Sequence, residues 1–145
     1  MALPYLVLLI IHFLGLALGV GGSFALFTLR KASADLEPAE RVKFMLRALA
    51  VSKNGSFGLL LLLLSGLGML FMRGPGAVMA AGGPAFHAKL TFVVILCGLV
   101  GWSQALVKRA RIAGGGPALA TLPKVATAVL GLGIAIVVCA VIAFQ

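Results

Sequence analysis

Four stretches without a single charged side chain set the limits on what this chain can become. They are residues 3–29, 54–72, 90–107 and 125–145. A helix crossing the hydrocarbon core of a bilayer needs roughly 17–25 mostly apolar residues. In lipid every backbone N–H and C=O must be satisfied within the protein, so each run predicts a helix. Four such runs in 145 residues leave no room for a second domain. The expected fold is all-α: one transmembrane domain over 1–145, an integral membrane four-helix up-and-down bundle. The helices are expected at about 4–29, 54–72, 86–107 and 119–144, with a basic linker at 30–53. Composition agrees, because only 10% of the residues are charged, where a soluble domain carries about 25%. The first run has a second reading, a signal peptide. No basic region precedes it, it is long for such a segment, and it lacks a clear Ala-x-Ala site, so a helix is expected.

The net charge of +9 would suggest nucleic acid in a soluble protein. Here its placement explains it. Ten basic residues fall in two segments: Arg30, Lys31, Arg41, Lys43, Arg47 and Lys53 in the first, Lys108, Arg109, Arg111 and Lys124 in the second. Only Arg73 and Lys89 flank the segment between. The positive-inside rule puts 30–53 and 108–124 in the cytoplasm and both termini on the other side. A multi-pass protein of the cell inner membrane is expected, with the lipid bilayer as its surroundings and no nucleic-acid partner.

Several local signals refine this layout. Pro4 suits a first helical turn. Gly15 and Gly19 form a GxxxG pair that admits a close helix neighbour. In "DLEPAERVKFMLRALAVSK", Pro38 and the acidic residues precede basic ones, which matches a helix dipole. Val42, Met45, Leu46 and Leu49 share one face there, so a basic interfacial helix is expected, able to run on into helix 2. Residues 74–85, "GPGAVMAAGGPA", read as a Gly/Pro-rich loop, and "GGGP" at 114–117 as a break. Cys97 and Cys139 lie inside apolar runs and are expected to pack as small hydrophobes.

Ionisable residues within a membrane are costly and mark functional sites. His12 lies roughly 12 Å along helix 1 at 1.5 Å per residue. Gly15, Gly19, Gly22 and Ser23 share its face, which is therefore expected to pack inward. An imidazole beside glycines implies a space, filled by a cofactor or by another helix. His87 and Lys89 open helix 3 on opposite faces, since two residues on a helix are about 200° apart. The small residues Thr91, Gly98, Gly101 and Ala105 favour the His87 face as the packed one. Lys89 either snorkels to the headgroups or turns to the bundle mouth to meet an anionic ligand. Met69 and Met72, in line with Ser65, are expected in the core or as soft thioether ligands. His12, Met69 or Met72, His87 and Lys89 thus gather at one leaflet. No Ser-His-Asp set, phosphate loop or paired carboxylates stand within the membrane, so hydrolysis has no candidate residues.

The stretches "IHFLGLALGVGG", "AERVKF", "LLLLSGLGML" and "FHAKLTFVVIL" span the whole layout. Together they resemble the HemJ-type protoporphyrinogen oxidases and the related CopD-like four-helix membrane proteins. The resemblance implies that His12 and Lys89 are the functional pair, catalytic and cofactor-binding. It implies haem b as cofactor, oxidation of protoporphyrinogen to protoporphyrin, and electrons passed to quinone or other respiratory-chain components. His12 would bind the metal, Lys89 a propionate, and His87, Met69 or Met72 could add a second ligand. Copper handling through His12, Met69, Met72 and His87 is the CopD-like alternative. A non-catalytic membrane subunit is a third, and a homo-oligomer or complex subunit is expected.

Overall fold

The computed structural model describes residues 3–143. The elements are α1 (Leu3–Ala32), α2 (Pro38–Ala48), a single 3-10 turn (Leu49–Val51), α3 (Ser52–Arg73), α4 (Pro75–Ile112) and α5 (Gly116–Ala143). There is no strand among the described residues. Four helical segments are long and apolar enough to cross a membrane: Leu3–Ala32, Pro38–Arg73, Pro75–Ile112 and Gly116–Ile142. The chain is an all-α four-helix bundle of membrane type. Its neighbours run antiparallel, α1 beside α3, α3 beside α4, α4 beside α5 and α5 beside α1. The closest packing is within two hairpin-like pairs, α1 with α3 and α4 with α5. Large apolar side chains cover the outside, among them Phe13, Phe71 and Val94, the last two each 72% exposed. Such a surface suits lipid and would be an association hazard in water.

The helices outrun the uncharged stretches. The expected ends at Leu29 and Val107 become Ala32 and Ile112, and the expected start at Leu119 becomes Gly116. The expected end at Phe144 lies outside the described residues. Charge marks where the hydrocarbon stops, but not where the backbone hydrogen bonds stop. Arg30 and Lys31 occupy the last turn of α1, and Arg109 and Arg111 that of α4. There they complement the helix dipole.

The basic linker forms its interfacial helix as expected. Pro38 starts α2 from the first turn, and the 3-10 turn carries it directly into α3. Leu49 is buried with Leu106, Val107, Ala110, Leu122 and Val125. This cluster, edged by Leu46, closes the bundle at its basic end.

The segment 74–85 corrects the sequence reading, which expected a loop. Only Gly74 is a turn (φ 84°), and helix resumes at Pro75. Pro at a helix start and the Ala-rich "AVMAA" both favour that outcome. The break is reduced to Gly83, at φ 53° and ψ −152°. This is a region open essentially to glycine alone. Pro84 follows it and begins the long second part of α4. At 114–116 three glycines with positive φ make the expected break before α5.

Candidate functional site

His12 faces inward, as its glycine neighbours predict. Gly15 is buried, and Gly19, Gly22 and Ser23 are half-buried. The space beside these glycines is filled by α3. A Cβ on Gly15 would stand 2.8 Å from the Gly58 carbonyl oxygen. A Cβ on Gly58 would stand 2.6 Å from both the Gly15 carbonyl oxygen and the Gly19 nitrogen. Backbone therefore touches backbone across α1 and α3, which only paired small residues permit. Two turns from Gly58, Gly66 packs beside the imidazole: a Cβ there would be in ordinary contact, 3.5 Å from His12 Cε1.

The imidazole is held on one side. His12 Nδ1 is 2.9 Å from Ser65 Oγ, and the Ser65 hydroxyl donates to the Leu61 carbonyl of its own helix. With its proton engaged there, Ser65 accepts from His12 Nδ1–H. In that tautomer Nε2 keeps its lone pair. Ser65 is 1% exposed, so this is an interior hydrogen bond between helices.

The faces of α4 reverse the sequence expectation. His87, Thr91, Gly98, Gly101 and Ala105 are all exposed. Lys89, Val93, Leu96 and Val100 are half-buried, and Val107 is buried. Branched side chains fill the interior, and the small residues are left outside. Lys89 therefore takes the inward of its two expected settings. No acidic side chain shares that half of the bundle, because Asp35, Glu37 and Glu40 all lie at the basic end.

His87 and Met72 are turned outward. His87 Nδ1 donates to the Gly83 carbonyl (2.9 Å) within its own helix, beside the kink. Met72 is exposed. Met69 is half-buried one turn beyond Ser65. Cys97 and Cys139 are free and half-buried, in keeping with packing. Among the described residues no three His, Cys, Asp or Glu side chains converge on a metal-sized space. The donor chemistry at His12 fits a haem in one respect and falls short in another. One histidine nitrogen and one cation would suit an iron and a propionate, but no second histidine joins His12 among the described residues.

Sequence reading passed over a second polar group at the other end of the bundle. Gln104 of α4 donates from Nε2 to the Ser52 hydroxyl (2.8 Å) and the Ser52 carbonyl (3.2 Å) of α3. With Ser23, Ser56 and Ser103 these residues line a cavity of about 100 Å³ between the two helix pairs. The available signal was neutral polar residues at the edge of one apolar run and inside another, "NGS" at 54–56 and "WSQ" at 102–104.

Fold and site together define an α-helical protein of membrane type with a half-buried histidine hydrogen-bonded between helices. Compared with known proteins, the chain matches no family model, no curated protein and no solved structure.

Proposed function

We propose that this protein binds haem b or a porphyrin through His12 and Lys89 and works as a membrane redox protein. The observation that carries the reading is the His12–Ser65 hydrogen bond, which would leave Nε2 free in a half of the bundle that also holds the half-buried Lys89 and no acidic side chain. A histidine that donates one ring N–H to a fixed partner is oriented as metal-ligating histidines are. An inward lysine in a membrane needs an anion, and a propionate is one. Haem, when bound, would supply one-electron chemistry. His12 would hold the iron, Lys89 the propionate, and the α1–α3 contact would exclude water.

The resemblance to the HemJ-type oxidases makes protoporphyrinogen oxidation the reaction to assay, with a quinone or another respiratory-chain component taking the electrons. In this reading segments 30–53 and 108–124 face the cytoplasm, both termini face away, and the membrane is the cell inner membrane. The test is the absorption spectrum of detergent-purified protein expressed with ample haem. A Soret band is expected, lost in His12→Ala and weakened in Lys89→Ala. A featureless spectrum would sink the haem reading. Copper bound by the same protein, and retained in Lys89→Ala, would favour the copper alternative.

One observation favours a second reading, a non-catalytic subunit. The exposed small-residue face of α4 (Gly98, Gly101, Ala105) is shaped for another transmembrane helix. Under that reading His12→Ala lowers assembly and changes no spectrum.

A further inference from the structure

The helical serines and threonines of this chain mostly give their hydroxyl hydrogen to the carbonyl four residues back. Ser23, Ser65, Thr91 and Thr127 donate to Gly19, Leu61, His87 and Pro123. Ser56 is an exception. Its Oγ is buried and makes no hydrogen bond among the described residues. The reason lies in its would-be acceptor, the Ser52 carbonyl. That oxygen already accepts Gln104 Nε2 at 3.2 Å. It also serves the i+4 amide, as a helical carbonyl does. Both lone pairs are in use, so the Ser56 hydroxyl is left without an acceptor, buried behind the wall of the cavity that its residue lines.

That cavity does not stand alone. A second, nearer the basic end, shares Ser23, Ser52 and Ser103 with it and adds Arg30 and Met45 to the lining. Together they form a crevice between the α1–α3 pair and the α4–α5 pair. From Arg30 to Leu16 it follows α1 for fourteen residues, roughly 21 Å at 1.5 Å per residue. Half of a bilayer with its headgroup zone is about 20–22 Å. The crevice therefore has the length of one leaflet. Its polarity is graded in the same sense: a guanidinium at the surface, hydroxyls a few ångströms below the level of Lys53, then Leu62, Leu96 and Ile136. Water could satisfy the serines, but it has nothing to offer the apolar depth.

We infer that the crevice holds one phospholipid from the leaflet at the basic end. Its phosphate meets Arg30, an ester carbonyl accepts from Ser103 and from Ser56 once its hydroxyl turns to the crevice, and the first carbons of an acyl chain enter between the two helix pairs. This site is separate from His12 and does not rest on the haem reading.

The test is native mass spectrometry of the full chain, delipidated and then titrated with phosphatidylglycerol or with its diether analogue, which lacks the ester carbonyls. One ester lipid is expected to be held about tenfold more tightly than the diether, the effect of two modest hydrogen bonds. The gap should close in Ser56→Ala/Ser103→Ala. It should also close in Gln104→Leu, which frees the Ser52 carbonyl and lets Ser56 turn back to it. Arg30→Gln should weaken both lipids alike, and His12→Ala neither. Equal binding of ester and diether lipid by the native protein would overturn the proposal. So would lipid adducts that never saturate at one, the pattern of an unspecific lipid coat over a water-filled cavity.

Discussion

Removing the Ser65 hydroxyl should cost more than its size suggests. It is the acceptor for His12 Nδ1 and is itself bonded to Leu61. Hydrogen bonds between membrane helices average about 0.6 kcal/mol, with a maximum near 1.7, and an orphaned interior donor adds a penalty of its own. Ser65→Ala is expected to lose about 1–2 kcal/mol in reversible unfolding in detergent micelles. His12→Leu, which removes donor and need together, should lose less. The opposite order would mean the histidine is held by something else. The inward face of His12 was legible in the sequence, because glycines at i+3 and i+7 give a single direction. Its partner was not. Ser65 was visible only as a residue in register with Met69, and nothing local ties it to His12.

At the scale of one helix, α1 and α4 make contrasting predictions. Gly15 and Gly19 look alike in the sequence, yet a Cβ on Gly19 meets nothing within 4 Å, while one on Gly58 meets backbone at 2.6 Å. Gly19→Ala should stay within about 1 kcal/mol of the native protein, since alanine favours helix by that much. Gly58→Ala should cost about 2–3 kcal/mol, the upper range for overpacking, because backbone cannot step aside as a side chain can. Thermal unfolding of the two variants side by side reads the difference. In α4 the kink at Gly83 is the sensitive point. Gly83→Ala should cost about 1–3 kcal/mol of stability through backbone strain and raise hydrogen exchange over 75–87, where the His87 bond to Gly83 begins. Unchanged exchange would mean the helix straightens without harm. The sequence marked 74–85 as irregular from its glycines and prolines. It could not show that one residue absorbs the irregularity, since helix propensity of the alanines competes with the same signals.

For the whole molecule, the distribution of charge predicts its orientation. Ten basic residues lie at one end of the bundle and two near the other. In a variant with Cys97 and Cys139 replaced by alanine, a cysteine at Lys43 should label only after the cytoplasmic face is opened. One at Gly76 should label from outside. The reverse pattern would overturn the assignment. Labelling at Gly76 has a second use, because that position now lies on a helix rather than in a loop.

The sequence by itself determined four helices long and apolar enough to cross a membrane, where they lie to within a few residues except at the start of α4, and which face of α1 turns inward. These follow from hydrocarbon thickness, from the obligation to satisfy the backbone in lipid, and from the helical period, all of which act locally along the chain. The tertiary structure decided which face of α4 is packed, that α3 fills the space beside His12, and that Gln104 displaces the Ser56 hydroxyl. Each of these depends on side chains from separate helices competing for one volume or one lone pair. In an apolar helix without an amphipathic stripe, no local pattern records the winner.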